Sequence, residues 1–232
     1  MRRWTLVAVF LSAASLALGT TLRDPIRNSL PPPAPPKDSS FEDVLFWDDF
    51  SGDLEAWTPD REGVWSVRGG MLRADLPDRK NLHSFLYAGK EDWADYALEF
   101  HVLAMRGVDK GAAVRVEGDQ GIAVDLRGLG YHDVVIHRKA WRIGQADVIN
   151  ANGMWHHVRI EARGSRYRVW VNGATVLDRS GGHGRANGRI ALAAYTGGVG
   201  ECTIYFDNVL VHKLGALPDS SEISVAEGEK TE

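Results

Sequence analysis

The stretch Met154–Gly173, MWHHVRIEARGSRYRVWVNG, decides the fold class of this chain. Apolar and polar residues alternate on both sides of a central Arg-Gly-Ser-Arg segment. The apolar positions are Val158, Ile160 and Ala162, followed by Tyr167, Val169 and Val171. Alternation with a period of two predicts strands with one apolar face, so the stretch predicts a β-hairpin. The Asn172-Gly173 pair that ends it favours another tight turn, because both residues tolerate positive φ.

Two adjacent histidines, His156 and His157, open the first strand of this hairpin and raise the question of a metal site. Successive residues of a strand point to opposite faces of its sheet. Two imidazoles on opposite faces cannot easily bind one ion together. We therefore interpret the pair as part of the hairpin and not as a source of chemistry.

Short runs of the same kind continue on both sides of the hairpin, separated by glycine-rich or Asp/Asn turns. They are VWSVRGGMLRADL, ADYALEFHVLA, KGAAVRVEG, GIAVDLRG, DVVIHRKAW, GRIALAAYT and CTIYFDNVLVHK. Regularly spaced short strands with turn signals predict an all-β fold, a sandwich or a barrel. Cys202 is the only cysteine, so no internal disulfide can form and stability must come from core packing.

The two ends of the 232-residue chain differ in composition from its centre. Residues 1–19 place Arg2 and Arg3 before an uncharged apolar run and a small-residue site, which predicts a cleaved signal peptide; an uncleaved anchor is the alternative. Residues 20–40 predict a proline-rich spacer, residues 41–214 one domain, and residues 215–232 an acidic disordered tail. We expect a secreted, periplasmic or cell-surface protein with no transmembrane span in the mature chain.

The charge balance of the chain narrows the class of partner. Lys and Arg residues number 27 and Asp and Glu residues 31, which gives a formal charge of −4. No cluster of basic residues interrupts this balance. A mildly acidic chain of this kind argues against nucleic acid, and against an anionic membrane surface, as its partner.

Polar residues recur at alternate positions of the strand runs between residues 96 and 138, and strands paired in sequence order would place them on one face of one sheet. They are Glu99, His101, Arg115, Glu117, Asp125, Arg127 and His137. Cross-strand charge pairs on a solvated sheet are one interpretation. The other interpretation is a groove in which Arg and carboxylate side chains bind sugar hydroxyls and an aromatic ring stacks on the sugar. Trp93, Tyr131 and Trp141 are the nearest aromatic residues, whereas Trp57 and Trp65 are expected in the core.

With these residues in order, the chain resembles a concanavalin A-like jelly roll of two antiparallel sheets, nearest to laminin-G-like domains and to the 3-keto-disaccharide hydrolase-like family. The resemblance is carried by DDFSGDLEAW (Asp48–Trp57), GVWSVRGGML (Gly63–Leu72), WADYALEFHV (Trp93–Val102), GAAVRV (Gly111–Val116), the hairpin quoted above, GRIAL (Gly188–Leu192) and IYFDNVLV (Ile204–Val211). This scaffold hosts lectins, binding modules and glycosidases, so the resemblance implies a fold more sharply than an activity.

The resemblance also implies a position for one arginine. Arg115 matches an arginine that faces the groove in the hydrolase-like family, which would make Glu117 and Asp125 its neighbours in a ligand site. Two departures count against an enzyme. The Glu-x-Asp-x-x-Glu string of laminarinase-type glycosidases is missing, and Val108–Gly111 stands where an Asn-Ser-Gly run commonly precedes the arginine.

A structural calcium ion is a further implication of the resemblance. Asp49 and Asp207 match the positions that bind a cation in many of these sandwiches, with backbone carbonyls completing the oxygen ligands. The alternative is that both aspartates make local turn bonds.

Three functions remain open at this point. The favoured one is an exported carbohydrate-binding module, and its ligand residues would be Arg115, Glu117, Asp125, Arg127, His137, Tyr131 and Trp141. The second is a glycoside or 3-keto-disaccharide hydrolase, which needs two carboxyls about 5 to 10 Å apart. Its candidate catalytic residues are Glu99, Glu117 and Asp125. The third is a laminin-G-like adhesive domain with a protein partner.

Overall fold

The computed structural model describes residues 43–128, 130–181 and 184–215, together with Ile26 and Ser29. These residues form fifteen strands. The first eight are β1 (Val44–Asp48), β2 (Thr58–Pro59), β3 (Trp65–Arg68), β4 (Met71–Leu76), β5 (His83–Ala88), β6 (Tyr96–Arg106), β7 (Asp109–Glu117) and β8 (Gln120–Arg127). The others are β9 (Asp133–Arg138), β10 (Trp141–Asp147), β11 (His156–Arg163), β12 (Arg166–Val171), β13 (Ala174–Ser180), β14 (Arg189–Tyr195) and β15 (Cys202–Lys213). The predicted signal peptide, nearly all of the predicted spacer and the acidic tail beyond residue 215 lie outside the described residues, so those boundaries stay predictions.

The strands make two antiparallel sheets that face each other across one core. The eight-stranded sheet has the order β13-β12-β11-β6-β15-β4-β3, with β1 also paired to β15. The seven-stranded sheet has the order β10-β9-β8-β7-β14-β5-β2. Inward side chains of both sheets form one apolar cluster, in which Phe100 and Phe206 from the first sheet meet Leu86 and Val114 from the second. The all-β fold predicted from the alternating runs is confirmed, and of the two architectures left open, a sandwich or a barrel, the structure is the sandwich.

The hairpin that decides the fold class forms β11 and β12. Val158 lies opposite Val171 in its register, and the two strands stay paired without a bulge. Asn172 and Gly173 have φ angles of 51° and 82°, which the tight turn into β13 requires. Local sequence therefore specifies this unit completely.

Strand pairing does not follow sequence order, which corrects the predicted polar face. β6 pairs with β11 and β15 in the eight-stranded sheet, whereas β8 pairs with β7 and with β9 in the seven-stranded sheet. Glu99 and His101 therefore lie on one side of the sandwich, and Asp125 and His137 on the other. The chain passes from one sheet to the other between β6 and β7. The local sequence does not predict this change of sheet, because β6 and β7 each carry an apolar face that could pack in either sheet.

Trp57 and Trp65, both expected in the core, are 5% and 8% exposed. The indole nitrogen of Trp57 donates to Asp48 Oδ2 at 2.7 Å, and that of Trp65 donates to Ser84 Oγ at 2.9 Å. A buried indole is stable only when its N–H finds such an acceptor. Both rings therefore contribute to the interior and are not available to a ligand.

Ile26, from the part of the chain before β1, contacts the outer face of the eight-stranded sheet. Ile26 packs against a small apolar cluster that includes Met71, Leu103 and Tyr205. Trp155 belongs to the same cluster, and its indole nitrogen donates to the Ile26 carbonyl at 3.1 Å. Across the part of the chain that the structure describes, no helix is both long and apolar enough to cross a bilayer.

Candidate functional site

A groove of about 760 Å³ crosses the outer face of the seven-stranded sheet. Alanines make its floor, because Ala123 of β8 lies opposite Ala113 of β7, and Ala113 lies opposite Ala191 of β14. Ala193 extends the floor along β14. At a strand spacing of about 4.8 Å, the row from β9 to β5 is roughly 19 Å long. Methyl side chains leave the sheet almost flat, so a ligand can approach its backbone closely.

Aromatic side chains form one wall of the groove. His83, Phe85 and Tyr87 occupy alternate positions of β5, and Tyr195 lies opposite His83 on β14. The Phe85 ring centre lies 6.1 Å from that of Tyr87 and 5.4 Å from that of His83. All four side chains line the groove. Such a wall offers apolar ring faces to the C–H groups of a ligand.

The opposite side of the groove carries an ion pair between neighbouring strands. His137 Nε2 on β9 lies 2.7 Å from Asp125 Oδ2 on β8, and His137 Nδ1 lies 2.5 Å from the Lys139 carbonyl oxygen. Both ring nitrogens face oxygen acceptors, an arrangement that favours the doubly protonated, cationic form of the ring. Burial opposes this charge, but the hydrogen bond and charge of Asp125 outweigh it, and the pKa of His137 lies above its ordinary value.

Asp109 of β7 is a second carboxyl at this end of the groove, and one of its oxygens is unsatisfied. Asp109 Oδ1 is buried and has no hydrogen-bond partner among the described residues. Burial, followed by the nearby charge of Asp125, raises the pKa of Asp109 to about 7. The carboxyl therefore keeps its proton up to the neutral range.

Gly111 separates the two carboxyls. It lies opposite Asp125 in the register of β7 and β8, two residues along β7 from Asp109. A Cβ at this position would lie 2.0 Å from the Val124 carbonyl oxygen and 2.9 Å from Asp125 Oδ1. Only glycine allows Asp125 to occupy this place over the floor.

The remaining charged residues that line the groove have partners within the protein. Lys139 Nζ lies 2.8 Å from Asp119 Oδ2. Asp60 Oδ1 accepts hydrogen bonds from Ser84 Oγ at 2.6 Å and from the Phe85 amide at 2.9 Å. Asp60 thus fixes the first residues of β5, and Asp109 is left as the carboxyl with unused hydrogen-bonding capacity.

Arg115 does not face the groove, which corrects its predicted position. Its φ is 52°, and the register of β7 shifts around it. The resulting bulge turns the side chain into the end of the sandwich, where it is 1% exposed. Its guanidinium donates to the carbonyls of Ala94 at 3.2 Å, Gly164 at 2.5 Å and Arg185 at 3.1 Å, and to Asp95 Oδ1 at 2.9 Å. Arg115 therefore connects loops of both sheets through its hydrogen bonds.

The same bulge reverses the faces of the residues that follow Arg115. Regular alternation would place Val116 on the packed face with Val114, but Val116 lines the groove beside Ala113. Glu117, predicted on the outer face, forms an ion pair with Arg185 and does not line the groove. The run GAAVRVEG alternates like a regular strand, so its sequence gives no sign of the extra residue.

Three other predicted ligand residues, Arg127, Tyr131 and Trp141, do not line the groove, and neither does the nearby Trp93. Arg127 Nε donates to Asp133 Oδ1 at 2.8 Å, and its guanidinium lies 4.5 Å from the ring centre of Tyr131. Trp141 lies on the edge strand β10 and is 75% exposed. Trp93 is buried. From the predicted set, the structure brings only Asp125 and His137 into the groove.

Glu99 lies on the outer face of the eight-stranded sheet and is fully engaged there. Its carboxylate contacts His157 Nε2 at 3.1 Å and His212 Nε2 at 3.3 Å, and it forms an ion pair with Arg159. Burial opposes its charge, but these partners hold the pKa of Glu99 well below its ordinary range. Because the two acids lie on opposite sides of the sandwich, the predicted use of Glu99 together with Asp125 is wrong.

The neighbouring histidines have separate environments. His156 is buried, and its Nε2 lies 3.3 Å from the Ala151 carbonyl oxygen. His157 contacts Glu99 instead, and its ring centre lies 5.0 Å from that of His101. Burial and the neighbouring His157 lower the pKa of His101 to about 4. These side chains belong to the packing of the eight-stranded sheet.

Asp49 and Asp207 make the local bonds that the sequence offered as the alternative to calcium. Asp207 Oδ1 accepts the Asn208 amide at 2.7 Å, and Asp49 Oδ1 accepts the Ser51 amide at 3.1 Å. Within residues 43–215 as described, no three His, Cys, Asp or Glu side chains are grouped to hold a metal ion. Calcium takes about six to eight oxygen ligands. Two aspartates already bonded to the backbone do not make that set by themselves.

The aromatic wall, the alanine floor and Asp109 were not predicted from the sequence. The signal was present in HSFLYA, where the ring-bearing residues occupy alternate positions. It is weak because Leu86 and Ala88, on the other face, are also apolar, so the two faces of β5 do not differ in polarity. In IALAAY the two faces likewise share alanine.

A family model described as a 3-keto-alpha-glucoside-1,2-lyase-like domain matches residues 44–212. The match starts at the first residue of β1 and ends within β15, so it spans both sheets and the groove. The chain belongs to this family. The resemblance to the 3-keto-disaccharide hydrolase-like family, inferred from the sequence blocks, is thereby confirmed. No curated protein matches the chain.

Solved structures share the fold of this family member at low sequence identity. The carbohydrate-binding module CBM66 from Bacillus subtilis has a TM-score of 0.59 and 16% identity, over 69% of this chain and 97% of that chain. The VIP36 exoplasmic/lumenal domain in its Ca2+/Man3GlcNAc-bound form has a TM-score of 0.59 and 10% identity, over 79% and 93%. A putative glycosyl hydrolase from Parabacteroides distasonis has a TM-score of 0.52 and 17% identity, over 73% and 100%. These likenesses establish the predicted jelly-roll fold.

Proposed function

We propose that this chain is an exported module that binds carbohydrate in the groove of its seven-stranded sheet. One observation carries the proposal: a flat alanine floor lies between aromatic rings on one side and hydrogen-bonding groups on the other. A sugar ring has the matching shape, with apolar C–H faces and a polar rim of hydroxyls. Ligand sites commonly combine such apolar walls with a few placed polar groups.

Each part of the groove has a role in this proposal. Phe85 and Tyr87 supply ring faces for the C–H groups of the sugar. Asp125, held by His137, accepts hydrogen bonds from hydroxyls. Asp109, which keeps its proton up to neutral pH, both donates and accepts. Because its Oδ1 is otherwise unsatisfied, a bound hydroxyl removes the cost of leaving a buried acceptor without a partner.

The names of the family and of the structurally similar proteins support carbohydrate as the ligand class. CBM66 is described as a carbohydrate-binding module, the VIP36 structure contains Man3GlcNAc, and the family is named for a glucoside. Export is supported by the composition of residues 1–19 alone. Amino-terminal sequencing of protein recovered outside the cytoplasm tests it, and a mature chain that still starts at Met1 contradicts cleavage.

Affinity electrophoresis in gels containing starch, laminarin, hydroxyethylcellulose or galactomannan tests binding. We expect retardation in at least one gel. Ala123→Trp fills the floor and should weaken binding at least 100-fold, which corresponds to about 2.7 kcal/mol. Ser66→Trp adds the same ring to the outer face of the eight-stranded sheet and should leave binding unchanged. Equal mobility of both variants in every gel would place binding elsewhere.

Calcium and a protein partner stay separate predictions. The VIP36 structure is described as Ca2+-bound, and Asp49 and Asp207 would be the carboxylate ligands here. A structural ion predicts a melting temperature that falls when EDTA is added and recovers with calcium. Because both carboxylates already bond the backbone, an unchanged melting temperature would assign them to the turns.

A further inference from the structure

Arg189 lies at the rim of the groove, at the end of the alanine floor that is far from Asp109. It is the first residue of β14 and lies opposite Val116 of β7. Val116 and the floor residue Ala191, which shares a strand face with Arg189, both line the groove. Asp109 lies opposite Tyr195, the last residue of β14. Roughly 20 Å of strand therefore separates Arg189 from the acidic end of the groove.

The guanidinium of Arg189 is held in place by an aromatic residue of the groove wall. Tyr87 lies opposite Ala191 on β5, which makes it a diagonal neighbour of Arg189. The guanidinium carbon lies 4.7 Å from the centre of the Tyr87 ring, a cation–π contact. The Tyr96 hydroxyl donates to the Arg189 carbonyl at 3.3 Å and fixes the backbone. The positive charge is thus oriented beside the groove before a ligand binds.

Arg189 has no anionic partner among the described residues. Other half-buried arginines do have one, as Arg127 pairs with Asp133 and Arg168 with Glu161. The Nε of Arg189 is buried and has no hydrogen-bond acceptor among the described residues. A buried donor without an acceptor costs free energy that an incoming acceptor removes. The planar guanidinium presents paired N–H donors whose geometry matches a carboxylate.

The carboxyls of the groove do not prevent an anion from binding at this end. Among the described residues that line the groove, four carry a carboxyl: Asp60, Asp109, Asp119 and Asp125. Asp119 pairs with Lys139, and Asp125 pairs with His137. Asp60 Oδ1 accepts two hydrogen bonds at the start of β5, and Asp109 lies at the other end of the strands. Arg189 is therefore the cation at this end whose charge is not already paired.

We propose that Arg189 binds the carboxylate of an acidic sugar, so that the groove selects oligosaccharides that contain a uronic acid. A uronic acid carries its carboxylate at the edge of the ring. Its C–H face can lie over the alanine floor while the carboxylate reaches the rim. The inference rests on the proposed function, because the remainder of the sugar must occupy the groove. It adds a requirement for negative charge that a neutral glucoside does not meet.

The test uses the full chain and three acidic polymers, which are polygalacturonate, alginate and hyaluronan. Each is compared with its carboxyl-reduced form, in which the carboxylate has become a primary alcohol and the rest of the polymer is the same. Affinity electrophoresis at several polymer concentrations gives the dissociation constants. We expect at least one acidic polymer to bind about tenfold or more tightly than its reduced form. Added salt should weaken this preference, because ions screen a charge pair at the exposed rim.

Arg189→Gln removes the charge and should reduce the preference to about threefold or less, because the paired charged donors are lost. Its binding of the reduced polymers should stay unchanged, which also shows that the groove is intact. Arg68→Gln is the matched control. Arg68 is an exposed arginine on β3 of the other sheet, where its Nε donates to Ser66 Oγ at 3.4 Å. The control makes the same change in net charge and should leave the preference as it is.

The outcomes separate this inference from the proposed function. Equal binding of the acidic and reduced polymers overturns the selection of uronic acids and leaves carbohydrate binding intact. A preference that Arg189→Gln does not change, or that Arg68→Gln lowers equally, overturns the role of Arg189. Polyglutamate, a polyanion without sugar, should not bind, and binding as tight as that of the acidic polymers would mean attraction by charge alone. Retardation by no polymer, acidic or neutral, overturns the proposed function itself.

Discussion

The outer faces of the two sheets contain similar residues and use them in opposite ways. On the eight-stranded sheet, the Glu99 carboxylate is shared by His157, His212 and Arg159. Arg159 also pairs with Glu161 at 2.6 Å. The charges of these side chains are paired with one another within the sheet.

The seven-stranded sheet leaves part of its polar capacity unused. Asp125 has His137 as a partner, but Asp109 Oδ1 has none among the described residues. Alanine and glycine around these acids leave open space where the other sheet has arginine and histidine. The difference shows that a charged residue on a strand becomes available to a ligand when its neighbours are too small or too distant to satisfy it.

The largest effect is expected on stability, when the ion pairs on the outer face of the eight-stranded sheet are removed. Glu99→Gln removes the charge on which His157, His212 and Arg159 depend, and should lower the free energy of unfolding at pH 7 by about 3 kcal/mol. The pKa of Glu99 is depressed in the folded protein, so its contribution is present above the unfolded pKa and is lost as pH falls. Urea denaturation at pH 7 and at pH 3 measures both. An unchanged stability at pH 7 would show that this network is not structural.

The equivalent change in the groove should have the opposite sign. The pKa of Asp109 is raised from 3.8 to about 7, so the folded state binds its proton more tightly than the unfolded state does, and wild-type stability falls as pH rises through that range. The asparagine of Asp109→Asn cannot ionise, so this variant should be more stable than the wild type at pH 8. We expect its free energy of unfolding to be higher by about 2 kcal/mol, which is part of the stability change that a pKa shift of about three units implies. Urea denaturation of both proteins from pH 4 to pH 8 measures the growing difference. Parallel curves would contradict a buried, unsatisfied Asp109.

Aromatic side chains should show the same contrast in binding. Tyr87→Ala removes a ring from the groove wall and should weaken glycan binding about tenfold, or about 1.4 kcal/mol. Trp170 on β12 lies with its ring centre 5.7 Å from the Arg159 guanidinium and 5.2 Å from that of Arg168. Trp170→Ala should leave binding unchanged. Titration calorimetry compares the two, and equal losses would mean that the groove wall is not the contact surface.

The smallest effect is expected at the most exposed tryptophan. Trp141 is 75% exposed and lies outside the groove lining, so Trp141→Ala should change binding by less than about 0.5 kcal/mol. The same calorimetric titration measures it. A loss comparable to that of Tyr87→Ala would extend the site onto β10 and restore Trp141 as a ligand residue.

The sequence predicted the architecture much better than it predicted the site. Every strand run that it identified is a strand, and the Asn172-Gly173 turn has the expected backbone. The site prediction retained Asp125 and His137 but misplaced Arg115 and Glu99. Arg115 was misplaced because one positive φ moves a side chain to the opposite face. Glu99 was misplaced because strands adjacent in sequence belong to different sheets.

By itself the sequence determined that this protein has an all-β fold, because a period of two and a turn-forming pair act over a few neighbouring residues; the resemblance to a known family added the two-sheet sandwich. Only the tertiary structure decided that alanines from three strands meet Phe85 and Tyr87 beside Asp109. That arrangement depends on strand order and on one bulge, and both are fixed by contacts between residues far apart in the chain. Local alternation predicts which side chains share a face of their own strand. It does not predict which strands lie side by side.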